Sequence, residues 1–236
     1  MFLPYDVSLH QAIFLERENR FILTCKLVET SEIITVHLQD PGRLKKLLVP
    51  NNTLYVSYHD APHRKTKWTA ELVKKPDDDI LVSLRSTLPN QLVRQVLQQG
   101  RLQEFEHLLY VKQEYTYGGS RWDFLLKGEE KPYLLEVKSV TMEEGSIGYF
   151  PDAPTKRGKK HVMELTEIQR SGSHQTGVLF VCQREDIQVV RPADWIDADF
   201  ASALKVARQA GVELKARSCQ LTLEGIGLGK QIPVEV

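Results

Sequence analysis

Short runs rich in β-branched and aromatic residues punctuate the first third of the chain, at 7–15, 20–29, 32–38, 53–58 and 66–74. Runs of this length and content read as strands. GRLKKLL at 42–48, between the third and fourth runs, reads as a helix. The texture changes at Lys74-Lys75-Pro76-Asp77-Asp78-Asp79, a charged turn with proline near a plausible domain boundary. The run 79–84 either extends the first unit or bridges to the next. Beyond it, Leu88-Pro89-Asn90 opens a helix that runs through Gln99 and stops at Gly100. Strands are expected at about 110–117, 120–126 and 133–140, then a helix at 155–171 ending at Gly172. TGVLFVCQ (176–183) is almost continuously apolar, as a strand covered on both faces should be. Asp197 can cap a helix to about Ala210, and VELKARSCQLTLEG alternates as a last strand.

Five strands with a helix between the third and fourth is the order of an OB-type barrel. The second half reads α-β-β-β-α-β with an α-β extension, a mixed α/β unit. The expected division is 1–82 and 83–236 within an α+β chain.

Composition narrows the function classes only a little. The 236 residues, 42% of them hydrophobic, suffice for one large core or two small ones. Thirty-one Lys and Arg balance thirty-one Asp and Glu, so any nucleic-acid surface must come from local clustering. Cys25, Cys182 and Cys219 form no CxxC pair, which argues against a structural zinc site or disulfide framework and fits a reducing cytosol. The start MFLPYDVSLHQAIF lacks the basic region and apolar core of a signal peptide. No apolar run approaches 18 residues, so no membrane partner is expected. These features suggest a soluble cytoplasmic protein.

The stretch Tyr133-Leu134-Leu135-Glu136-Val137-Lys138-Ser139-Val140 adds chemistry to this outline. It reads as a buried strand, yet Glu136 and Lys138 share one of its faces. Burying two charges costs several kcal/mol unless neighbours compensate. Gly118-Gly119 is a two-residue hairpin signal, because a type I′ turn needs positive φ at both central positions. That turn sets Glu114 opposite Asp123. A symmetric loop over Lys127-Gly128-Glu129-Glu130-Lys131-Pro132 then sets Asp123 opposite Glu136. The expected result is a row of three carboxylates, with Trp122, Phe124 and Leu126 on the other face. Like charges about 5 Å apart repel by about 3 kcal/mol at an effective dielectric of 20. Lys138 alone cannot offset three of them. Either one acid stays protonated or a divalent cation sits among them, and carboxylate oxygens suit Mg2+ or Mn2+. Asp123 and Glu136 are the candidate metal ligands. Asp123, Glu136, Lys138 and Glu114 make up the candidate catalytic set, with Lys138 placed to orient water or stabilise a developing charge.

E-x-K by itself is common. Ser120-Arg121-Trp122-Asp123-Phe124-Leu125-Leu126 followed by Leu135-Glu136-Val137-Lys138-Ser139-Val140 is more specific, and resembles the PD-(D/E)xK nuclease superfamily. With FPDAPTKRGKKH at 150–161, TLPN at 87–90 and HLQDPGRL at 37–44, the chain resembles the sugar fermentation stimulation protein A family over nearly its whole length. Asp40-Pro41 stands where that family more usually has Asn-Thr. The resemblance implies an OB-like N-terminal barrel, a restriction-endonuclease-like C-terminal domain, DNA as partner and a role in regulating sugar use.

Lys156, Arg157, Lys159, Lys160 and His161 crowd the start of a helix, where the dipole disfavours cations but free N–H groups favour an anion. Phosphate binding explains that placement better than a solvated charge run does. Arg64, Lys65 and Lys67 lie beside Trp68 in the loop from His59 through His63 to the fifth strand, where phosphate contact and base stacking could combine. A polar hairpin with a core tryptophan explains that loop equally well. Arg43 and Arg121 complete the candidate DNA contacts, although a solvated helix face accounts better for Arg43 with Lys45 and Lys46. Two readings remain open, a Mg2+- or Mn2+-dependent DNA phosphodiesterase and a DNA-binding regulator that does not cut.

Overall fold

The structure is a computed structural model and describes residues 2–62 and 64–236. Strands β1 (Phe2–Pro4), β2 (Leu9–Arg17), β3 (Ile22–Leu27), β4 (Ile33–His37), β5 (Thr53–Tyr58), β6 (Trp68–Lys74) and β7 (Leu81–Ser83) come first. Six of them form a sheet in the order β4-β3-β2-β5-β6-β7, and a parallel pairing of β4 with β6 at Val36↔Trp68 closes it into a barrel. Alternate residues fill its interior, among them Phe14, Leu23, Cys25, Val36, Leu54 and Val56.

Residues 42–48 form turns where a helix was expected. The reason is a competing donor. Arg17 donates to the carbonyls of Gly42 (2.8 Å) and Arg43 (2.7 Å), and Arg20 to that of Pro41 (3.0 Å). Those oxygens would accept the first helical N–H groups. With them engaged, Leu44 takes a positive φ of 51°, and Leu44 and Leu47 are buried against the barrel.

The second unit contains α1 (Leu88–Gln98), β8 (Leu109–Tyr117), β9 (Ser120–Lys127), β10 (Pro132–Val140), β11 (Met142–Glu144), β12 (Ile147–Phe150), α2 (Lys156–Ser171), β13 (Gln175–Cys182), β14 (Val189–Pro192), α3 (Ala198–Gln209), β15 (Glu213–Leu221) and β16 (Gly225–Ile232). Its main sheet runs β1-β16-β15-β13-β10-β9-β8, with β10, β13 and β15 parallel. The first strand of the chain therefore belongs to the second sheet, not to the barrel. β16 and the small sheet β11-β12-β14 were not anticipated; the latter's strands of three or four residues are too short to show a period.

Helices cover both faces. α1 packs Leu88, Leu92, Val93, Val96 and Leu97 against Leu135, Val137 and Phe124. At about 1.5–3 kcal/mol per buried aliphatic side chain, that face contributes on the order of 10 kcal/mol of burial. α2 and α3 cover the opposite face, where Leu134, Val140, Val178 and Phe180 lie. Local signals set the helix ends. Thr155 Oγ1 accepts from Gly158 N at 3.0 Å, Asp197 Oδ1 accepts from Phe200 N at 2.9 Å, and Gly172 closes α2 at φ 69°. Among the described residues no helix is long and apolar enough to cross a membrane.

The two units meet through ion pairs. Lys75, just after the last residue of β6, reaches Glu143 (3.2 Å) and Asp186 (2.8 Å), and the buried Arg184 binds the same two acids.

Candidate functional site

Strands β9 and β10 pair from Lys127↔Pro132 to Phe124↔Leu135, the register expected for a symmetric loop, and then part. Asp123 sits in the fork. Its Oδ2 accepts the N–H of Val137 at 2.7 Å, in place of a ladder partner, and its Oδ1 accepts from Asn90 Nδ2 at 2.6 Å. Side-chain alternation changes phase here. Trp122 packs on the α2 face against His161, while Phe124 and Leu126 pack on the α1 face, so the three do not share a face as expected.

Glu136 is buried beside the fork. Lys138 Nζ lies 2.5 Å from its Oε1, and His161 Nδ1 lies 2.7 Å from the same oxygen. Arg157 Nε donates to His161 Nε2 at 3.4 Å, which leaves the imidazole proton on Nδ1, facing the carboxylate. The second oxygen, Oε2, is sealed from solvent and has no hydrogen-bond partner among the described residues. Leaving such an acceptor bare costs about 1–3 kcal/mol, more when charged.

The two acids titrate differently. Burial pushes Asp123 up to about 6, with the charge of Glu136 adding to the shift and the Val137 N–H, Lys138 and Asn90 opposing it. Burial also works against ionised Glu136. The His161 hydrogen bond and the charge and hydrogen bond of Lys138 together outweigh it, and hold that carboxyl below its ordinary value. Glu136 is thus a stable anion next to an acid poised near neutrality.

Glu114 does not join them. The β8–β9 pairs on either side of it follow the expected register, but Glu114 itself takes a positive φ of 54°. This turns its carboxylate to solvent, 3.7 Å from Arg121. Among the described residues no group of three or more His, Cys, Asp or Glu is placed to hold a metal. The fork offers two carboxylates and a bare buried oxygen. These fit a hard cation whose other positions fall to water and phosphate.

The expected DNA contacts divide. Arg157 is exposed beside the site, whereas His161 is buried and holds Glu136, so it offers no surface to DNA. Lys159 pairs with Asp199 at 2.7 Å, and Lys160 lies 3.6 Å from Glu164. Such exposed pairs are weak and exchangeable. In the barrel loop, Arg64 donates to Thr69, Lys67 lies 3.1 Å from Asp60, Lys65 is exposed, and His63 lies outside the described residues. Trp68 meets His10 and Tyr58 edge-on and packs on the barrel core, which suits the core-tryptophan account of that loop. Asn90 was overlooked as a site residue. The available signal was its position in TLPN, in the first turn of the helix that precedes the acidic strands.

A second pair of acids joins the two units. Asp40 Oδ1 accepts from Gly42 N at 2.7 Å, and Asp152 Oδ2 accepts from Arg43 N at 3.0 Å. A Cβ on Gly42 would lie 2.0 Å from Asp152 Oδ2, so only glycine lets the loop approach. Burial, reinforced by Asp152, raises Asp40 to about 6, and burial also raises Asp152.

A closed OB-like barrel followed by a restriction-endonuclease-like sheet carrying Asp123, Glu136 and Lys138 defines a two-domain class of protein. Comparison with known proteins agrees. Residues 15–84 match the SfsA N-terminal OB domain, and residues 87–225 match the sugar fermentation stimulation protein RE domain. The chain belongs to the sugar fermentation stimulation protein family. It is 45% identical over 223 residues to a sugar fermentation stimulation protein homolog of Shouchella clausii, covering 94% of this chain and 96% of that one. A homolog from Acetivibrio thermocellus is 41% identical, with 96% and 97% covered. The structure of Pyrococcus furiosus SfsA in complex with Ca2+ superposes with a TM-score of 0.88 at 26% identity, over 99% of this chain and 98% of that one.

Proposed function

We propose that this protein binds DNA and cleaves its phosphodiester backbone with Mg2+ or Mn2+. The observation that carries the reading is the fork between β9 and β10, where two carboxylates converge and Glu136 keeps a buried oxygen without a partner. The Ca2+ in the Pyrococcus furiosus relative supports a divalent cation.

Asp123 and Glu136 would hold the cation. When bound, it supplies Lewis-acid polarisation of the phosphate and lowers the pKa of bound water. Lys138, 2.5 Å from Glu136, is positioned to orient the attacking water and to neutralise charge as the P–O bond breaks. His161 fixes the Glu136 rotamer, with Trp122 packed against the imidazole. The start of α2, with Lys156 and Arg157 exposed, offers N–H groups and cations to the phosphate. The second reading, a regulator of sugar-use genes that grips DNA without cutting, draws on the fact that Lys138 and His161 already compensate Glu136 Oε1.

The test is loss of supercoiled plasmid and shortening of labelled strands in Mg2+ or Mn2+, with EDTA as control. Lys138→Met is expected to lower turnover at least a hundredfold while keeping DNA affinity. Glu136→Ala is expected to lose turnover and cation binding together. DNA binding without metal-dependent cleavage of any DNA form leaves the regulator standing.

A further inference from the structure

Away from the fork, a cleft of about 1000 Å³ opens between the barrel and the second domain. The 43–47 turn lines one wall, and residues 141–146, Tyr149 and Trp195 line the other. A smaller pocket of about 170 Å³ shares Thr141, Met142, Tyr149 and Asp152 with it and reaches Ser139, the residue after Lys138 on β10. Neither pocket is lined by Asp123, Glu136 or Lys138; the cleft comes nearest the acidic site at Ser139, whose side chain alternates to the other face of β10.

Three features of its lining point to a ligand. Trp195 is 61% exposed and packs T-shaped with Tyr149, ring centres 4.7 Å apart, so a large part of its indole stands in solvent beside a second aromatic ring. Arg43 and Lys45 are exposed, and their side chains make no ion pair or hydrogen bond among the described residues. Lys46 reaches across to Glu144 at 3.2 Å, but both are more than half exposed, so a stronger anion can displace that pair. In all, five cations line the cleft against three carboxylates. Lys75 and Arg184 are engaged by Glu143 and Asp186, so the cations left to a ligand are Arg43, Lys45 and Lys46, with Glu144 and Asp152 as the remaining carboxylates. Aromatic rings in solvent beside unpaired cations are the components of a single-strand site. Pockets of ~300–1000 Å³ enclose molecules of drug size, which here means a few stacked bases and not the width of a duplex.

We propose that this cleft takes a single-stranded DNA segment, its bases against Trp195 and Tyr149 and its phosphates on Arg43 and Lys45. The inference rests on the proposed action on DNA and specifies the form of DNA the protein holds.

Fluorescence anisotropy of a labelled oligothymidylate and of a blunt duplex, both in EDTA to prevent cleavage, tests it. Trp195→Ala is expected to weaken oligothymidylate binding about tenfold and to leave duplex affinity within about twofold. Trp195→Phe is expected to restore most of the loss. Oligothymidylate is also expected to quench tryptophan emission in wild type and much less in Trp195→Ala, because Trp122 is buried and Trp68 half-buried. The double variant Arg43→Ala, Lys45→Ala is expected to reduce the salt slope for the single strand by about 1.4. Unchanged oligothymidylate affinity in Trp195→Ala overturns the cleft assignment, as does a tenfold preference for oligouridylate. Duplex binding or cutting without single-strand binding overturns the cleft alone. Absence of any DNA binding or cleavage overturns the underlying DNA reading as well.

Discussion

The molecule buries two acid pairs, Asp123 with Glu136 at the fork of β9 and β10, and Asp40 with Asp152 between the domains. In both, burial raises at least one carboxyl, and Asp123 and Asp40 each reach about 6. They differ in what surrounds the oxygens. Asp40 and Asp152 accept backbone N–H groups from a loop whose carbonyls Arg17 and Arg20 hold, and neither has an oxygen that is both sealed and without a partner. Among the described residues Glu136 has two donors on one oxygen and none on the other. Charge proximity alone therefore does not mark a reactive centre. An acid pair whose carboxylates accept backbone N–H groups across the two domains is a latch; one that keeps a bare, buried acceptor has a lone pair still to satisfy.

Divalent cations should separate the two pairs most strongly. A cation that binds only the folded state stabilises by about 2.7 kcal/mol at a hundredfold excess over Kd, or about 5–10 °C in melting temperature for a chain of this size. Mg2+ or Mn2+ should produce that rise in wild type and in Asp40→Asn, and almost none in Asp123→Asn, as followed by differential scanning calorimetry. A cation-dependent rise lost in Asp40→Asn but kept in Asp123→Asn would reverse the assignment.

The next effect is on pH dependence without metal. The carboxyl of Asp40 is raised from 3.8 to about 6, so its stabilising contribution is fully present below the unfolded value and is lost as pH rises through the folded one. Wild type should gain stability as pH falls from 8 to 5, with Asp123 contributing in the same window. Asp40→Asn should flatten part of that slope and stabilise the protein at pH 8 by about 2 kcal/mol. Asn keeps the acceptor for Gly42 N and removes the repulsion with Asp152. Urea unfolding at pH 5, 6, 7 and 8 measures both; a destabilised Asp40→Asn at pH 8 would show that the Asp40 charge holds the latch.

The smallest effect concerns the cations beside each pair. Arg157→Ala should lower the salt slope of duplex binding by about 0.9, the share of one phosphate contact. Arg17→Ala should leave the slope unchanged, because its guanidinium is engaged by backbone carbonyls, and should lower stability instead. Equal slopes in wild type and Arg157→Ala would remove the start of α2 from the DNA surface.

Much of this architecture is legible in short stretches of sequence. The barrel strands, the cap at Asp197, the stop at Gly172, and the registers that bring Asp123 to Glu136 all follow from side-chain period, turn residues and capping groups. These are local energies, set by residues a few positions apart. The rest depends on partners distant in sequence. Arg17 unmakes the 42–48 helix across 25 residues, β16 draws β1 out of the barrel, and a positive φ turns Glu114 away from its expected row. His161, read as a surface cation, becomes the buried support of Glu136 only once α2 lies across the sheet. Periodicity states which face a residue occupies, but not what lies opposite that face. That depends on packing over the whole chain, where a carboxylate paired with the lysine of its own strand also meets a histidine from α2, itself held against Trp122 of β9.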